Sequence, residues 1–156
     1  MIGSMIIKRM ARSGYEEWNR GDVDSMMARS TDDVVFEGIS GLFESISGHD
    51  VAVPVKGKKA AAEFYRKCFE EFPKTKFTVK NVCIREAFPL LSAFIGTSVI
   101  MTDWSATQTH KEGKEFKYEG VTVTHLRRGK IIRMSDYLSP ASLPQLSTLM
   151  KLTSKA

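Results

Sequence analysis

The chain has 156 residues, 42% of them apolar and 26% charged, with a formal net charge of +5. That size supports one domain, residues 1–156, whose core needs no disulfide staples, and the composition is ordinary for a globular protein. No run approaches the ~20 apolar residues of a membrane helix. The positive charge is scattered apart from Lys56, Lys58 and Lys59 and from Arg127, Arg128 and Lys130, which read as solvated turns. Basic and aromatic residues do not interleave on one face, so no nucleic-acid partner is expected. Lys8 and Arg9 interrupt the opening Met1–Ile7 stretch, unlike a signal peptide. Cys68 and Cys83 sit beside apolar residues and read as buried free thiols, which suits a reducing cytoplasm.

In chain order, Ile7, Met10, Ala11, Gly14 and Trp18 recur at three- and four-residue spacing and predict a helix over 4–20. Gly21 ends it, and Asp22 caps a short second helix over 23–29. Val34–Glu37 reads as a strand. Gly38–Gly57, with four glycines and Pro54, reads as a long loop of the kind that forms lids. A third helix covers 58–72, with Ala61, Phe64, Cys68 and Phe72 on one stripe and Pro73 as its stop. Strands follow over 76–86, 92–107, 115–127 and 131–138, the last two joined by a tight Arg-Arg-Gly-Lys turn. The core spans about 5–138. Pro140 opens a C-terminal helical extension, 140–152, bearing Leu143, Leu146, Leu149 and Met150. Helices first and then a run of strands argue an α+β fold, a curved antiparallel sheet wrapped on N-terminal helices.

Strand alternation reconstructs a lining. Asp136 shares a face with Met134 and Ile132 on the last strand. If that face is interior, Tyr118, Gly120, Thr122, Thr124 and Leu126 point inward from the preceding strand. Phe94, Gly96, Ser98, Ile100, Thr102 and Trp104 do so from the one before it. The result is an apolar, hydroxyl-lined cavity with a single ionisable carboxylate, suited to a hydrophobic, oxygenated small molecule. Tyr15 and Trp18 of the first helix either pack that helix on the sheet or bind substrate, with Tyr15 able to reach the mouth of the cavity. Burial raises the pKa of such a carboxyl, so Asp136 is the candidate general acid/base, with Tyr118 and Thr122 as donors to a developing oxyanion. Glu37 has outward parity, although strand twist could bring it to the site. The structural alternative pairs Asp136 with Arg133 or Arg9. His125 could partner Asp136, yet its parity is outward. His49, His110 and His125 share no ligand spacing, and neither a metal nor another cofactor is expected.

Tyr15–Asp22, Asp32–Glu37, Gly57–Tyr65 and Arg128–Tyr137 resemble successive landmarks of SnoaL-like proteins over roughly residues 12–138. The resemblance implies a cone-shaped α+β barrel similar to nuclear transport factor 2 and to cystatin. That fold is shared by polyketide cyclases, ketosteroid isomerases, limonene-epoxide hydrolases, dehydratases and non-catalytic modules that bind ligands or dimerise. Gly38 stands where ketosteroid isomerases carry their base Asp, and Thr122 where they carry their proton-donating Asp. The Arg-x-Asp set of limonene-epoxide hydrolases has no counterpart in Gly96–Trp104, where Asp103 has the wrong parity. An acid on the last strand, as in the cyclases and epoxide hydrolases, falls on Asp136. The outward Val121/Val123 stripe reads as a dimer interface or as packing against another element, and the resemblance points to a homodimer.

Overall fold

The computed structural model describes residues 2–38, 54–85 and 95–142, with side chains from Met5 onward. Helices α1 (Ile2–Arg20) and α2 (Val23–Ala28) lead into β1 (Ser30–Glu37). A two-residue strand β2 (Val55–Lys56) and helix α3 (Lys58–Glu71) precede four strands: β3 (Lys74–Ile84), β4 (Thr97–Thr109), β5 (Glu115–Arg127) and β6 (Lys130–Leu138). The strands form one curved, unclosed sheet in the order β2-β1-β6-β5-β4-β3, with the helices against its concave face. No helix among the described residues is long and apolar enough to cross a membrane.

Asp22 caps α2 by accepting from the Ser25 amide at 3.1 Å, and Gly21 takes the left-handed conformation that lets the chain reverse between the two helices. The sheet departs from the expected antiparallel order at one seam, where β1 lies parallel to β6. The first and last strands of the sheet motif meet there after a long excursion, so no hairpin dictates their direction. Val55 and Lys56, expected in loop, pair with Phe36 and Val35. Residues 39–53, most of the expected lid, lie outside the described residues, as do 86–94 and the chain beyond Ser142. Pro140–Ser142 forms one turn of 3₁₀ helix at the start of the expected C-terminal helical extension.

Arg128 and Gly129, both at positive φ, make the two-residue turn between β5 and β6. Immediately after it the register slips, with Leu126 opposite Ile131 but His125 opposite Arg133. The extra residue is Ile132. This bulge corrects the expected alternation: Ile131, not Ile132, joins Met134 in the lining below, while Asp136 keeps its inward parity. Cys83 is a second correction, because Val82 takes the buried position on β3 and leaves the thiol exposed, while Cys68 is buried as expected.

The core is aromatic. Trp104, Phe72 and Tyr65 are essentially inaccessible, and Trp18 stands edge-on to Tyr65 at 4.5 Å between ring centroids. Helix α1 is fixed to β3 by the Asn19 amide, which accepts from the Phe77 N–H at 2.6 Å and donates to the Phe77 carbonyl at 3.0 Å. That clamp sets the height of Tyr15 and Trp18 above the sheet.

Candidate functional site

Cross-strand register lays the inner face out in rungs. Thr102, Thr122 and Asp136 are opposite one another on β4, β5 and β6, and the next rung is Ile100, Thr124 and Met134, continued on β1 by Phe36. On the other side of the polar rung, Trp104 lies opposite Gly120, where a Cβ would come within 2.9 Å of the indole and 2.6 Å of the Tyr137 carbonyl. Glycine there leaves the room that Trp104 occupies.

Thr122 is the hub of the polar rung. Its Oγ1 accepts from the Tyr15 hydroxyl at 2.9 Å and from the Trp104 indole N–H at 2.7 Å, and its own proton goes to Asp136 Oδ1. A hydroxyl has one proton and two lone pairs, so all of its capacity is used. Thr122 therefore orients the carboxyl. The expectation that it donates to a substrate oxygen is corrected on this point, since its proton is already committed. With both Thr122 lone pairs occupied, a proton on Asp136 has to sit on Oδ2.

Asp136 is 7% exposed, and burial pushes its carboxyl up to about 7 against the opposing hydrogen bond from Thr122. The phenols of Tyr15, Tyr65 and Tyr118 are pushed up by burial and then by the Asp136 charge, so all three remain protonated donors. Arg133, the structural alternative, is engaged on the outer face, donating to Glu37 Oε2 at 2.6 and 3.0 Å. Ser135 Oγ donates to the same oxygen at 3.1 Å, so Glu37 faces outward as its parity implies. His125 also lies on the outer face, opposite Arg133 across β5 and β6.

Two cavities adjoin this network. A small one of about 10 Å³, room for roughly one water, touches Asp136, Thr122, Trp104 and Phe77. A larger one of about 110 Å³ is bounded by Thr102, Thr124, Ile131, Phe36 and the apolar face of α1. Tyr15, Trp18 and Met134 line both and form the partition. Among the expected lining residues, Tyr118 and Ser98 are buried on the inner face but line neither space; Tyr118 packs edge-on against Trp104 at 5.9 Å. Phe94 lies outside the described residues.

The larger cavity also has a polar end that the sequence reading missed. Glu17 binds Arg29 through Oε1, and Ser30 stands at the start of β1. The available signal was spacing: Glu17 follows Met10 by seven residues and Gly14 by three, which puts an acid on the margin of the buried stripe.

A model of the SnoaL-like domain matches residues 11–134, a span that runs from the middle of α1 through β5 and into the first half of β6. The chain is a SnoaL-like protein. No curated protein matches this SnoaL-like chain. Among solved structures it is similar to an NTF2-like protein from Burkholderia pseudomallei, with 16% identity, TM-score 0.67, and coverage of 89% of this chain and 95% of that one. The epoxide hydrolase/cyclase-like enzyme SalBIII, with a role in pyran ring formation in polyether salinomycin, gives 17% identity, TM-score 0.66, and coverage of 91% and 97%. RV0760c from Mycobacterium tuberculosis, in complex with estradiol-17β-hemisuccinate, gives 18% identity, TM-score 0.66, and coverage of 85% and 92%. At these identities the likeness shows the fold, and the site chemistry has to be argued from the SnoaL-like chain itself.

Proposed function

We propose that this SnoaL-like protein is a cofactor-independent enzyme of the isomerase, cyclase or dehydratase type, acting on a small, hydrophobic, oxygenated ring compound. Asp136 is its general acid/base. The observation that carries the reading is the buried Asp136 carboxyl, held by Thr122 and with its pKa pushed up by burial to about 7. Such a group can take a proton from carbon beside a carbonyl onto Oδ2 and return it at another position, or protonate a leaving hydroxyl. Thr122, Tyr15 and Trp104 hold the carboxyl in one orientation throughout. The larger cavity is of the order of the ~150 Å³ that accommodates benzene, so the substrate body is a single ring. Met134, unbranched and adaptable, is the element of the partition that moves aside to bring that ring to Asp136.

The test uses a small cyclic enone in D₂O, with deuterium incorporation beside the carbonyl followed by NMR. Wild type exchanges with an apparent pKa near 7, and Asp136→Asn loses roughly 10²-fold or more. Full exchange by Asp136→Asn would defeat the assignment.

A second reading, a non-catalytic ligand-binding or dimerisation module, is favoured by one feature: Tyr15, Trp18 and Met134 stand between Asp136 and the larger cavity. Under that reading the enone binds without exchange. We further infer a homodimer formed through the outer sheet face around Val121 and Val123. We also infer a cytoplasmic location, for which the free thiols Cys68 and Cys83 are the support.

A further inference from the structure

The geometry points to a hydroxyl-anchoring subsite at the Glu17–Ser30 end of the larger cavity. This inference rests on the reading that the cavity holds a small ring compound, but not on Asp136 being catalytic.

Glu17 Oε2 and Ser30 Oγ are buried side-chain oxygens with no hydrogen-bond partner among the described residues, and both residues line the cavity. Glu17 is 7% exposed and Ser30 2% exposed. A core built only for stability does not leave two such oxygens on the wall of one largely apolar space, because each loses its water without replacement. The same cavity is lined by Met10, Met26, Met27, Leu126 and Ile131, which are apolar, and by Arg29, whose guanidinium is already on Glu17 Oε1.

Charge selects the ligand chemistry. The Glu17 carboxylate is already neutralised by Arg29, which is itself held by Ser13 Oγ at 3.1 Å and the Met10 carbonyl at 3.3 Å. A cation would therefore be one positive charge too many. The carboxylate oxygen only accepts, whereas the serine hydroxyl both donates and accepts. A neutral hydroxyl complements the pair, donating to Glu17 and accepting from Ser30. A ketone or ether has no proton for Glu17. Ile131, the register partner of Ser30, and Met134 both line the cavity, so it runs along β6 from this anchor to the residue two before Asp136. A phenol or cyclic alcohol held by its hydroxyl at Glu17 directs its ring toward Met134 and the Asp136 network.

The experiment compares phenol with benzene, titrated by NMR into the full chain at pH 6.5. An entirely apolar cavity favours benzene, because phenol gives up hydrogen bonds to water. The subsite predicts the reverse, with phenol tighter by about tenfold. Ser30→Ala and Glu17→Gln, the latter keeping an oxygen for Arg29, should each bring the preference below about threefold and leave benzene affinity unchanged. Asp136→Asn should keep the preference. Equal binding of the two probes by wild type overturns the subsite and leaves the cavity reading standing. A preference that survives both Ser30→Ala and Glu17→Gln, or that disappears in Asp136→Asn alone, also overturns it. Binding of neither probe defeats the cavity reading and this inference together, whereas Asp136-dependent exchange fails or succeeds independently of all these outcomes.

Discussion

Gly38 and Asp136 face each other across the parallel seam of β1 and β6, so closely that a Cβ on Gly38 would lie 2.1 Å from the Asp136 carbonyl oxygen. Gly38 also has φ of +90°, a conformation that L side chains rarely adopt. The backbone thus excludes any side chain, acid or otherwise, from position 38. Gly38→Ala should cost roughly 3 kcal/mol or more in urea unfolding. Gly14→Ala is the contrast, because nothing lies within 4 Å of the point its methyl would occupy and the residue is helical. That change should stabilise by up to about 1 kcal/mol and shrink the larger cavity, so benzene binding weakens.

The Asp136 carboxyl should titrate near pH 7 when followed by carboxyl ¹³C NMR in the ligand-free protein. Burial raises it and the Thr122 hydrogen bond lowers it, so Thr122→Val should move the midpoint upward. A midpoint near 4 in wild type would remove the basis for general acid/base chemistry.

The same shift makes stability depend on pH, with a definite sign. A carboxyl whose folded pKa is raised contributes stability below its unfolded value near 4, and that contribution is lost as pH rises through about 7. Asp136 should therefore make the protein less stable at pH 8 than at pH 5. Asp136→Asn, which can still accept from Thr122, should be more stable than wild type at pH 8, by roughly 1–3 kcal/mol, and should flatten the profile over that window. Urea midpoints at the two pH values check both statements. A wild-type profile that rises from pH 5 to 8 in parallel with the variant's would contradict the burial of this charge.

The proposed dimer face can be tested independently of the site. Outer-face rungs set Met101 beside Val123 and set Val121 beside Tyr137, with Met101 46% and Tyr137 61% exposed. Light scattering should give a dimer mass for wild type and a monomer mass for Val123→Glu, since a carboxylate in an apolar interface loses its hydration without a partner. A wild-type monomer at high concentration would end the proposal.

The parts of this fold that were readable in advance are those governed by strict two-residue alternation. Along β4 and β5, Ser98, Ile100, Thr102, Trp104, Tyr118, Thr122 and Thr124 are all buried on the inner face that parity assigned them. Alternation cannot foresee a bulge, so Ile131 and Ile132 exchange roles. Nor can local pattern reveal partners far apart in the chain. Tyr15 reaches Thr122 across 107 residues, and Glu17 of α1 meets Arg29 in the turn after α2, so the hub and the polar part of the cavity lining emerge only in three dimensions. β2 was hidden because two residues, Val55 and Lys56, are too few to show any period within a glycine-rich stretch.

The Asn19 amide has a second effect, away from the cavity. Among the described residues, β3 is the last strand of the sheet and pairs with β4 alone, so its outer row of amides and carbonyls is a template onto which a strand of another molecule could add. By occupying both backbone groups of Phe77, Asn19 caps that row at mid-strand. The side chain that holds Tyr15 in place therefore also guards the sheet margin against aggregation by strand addition.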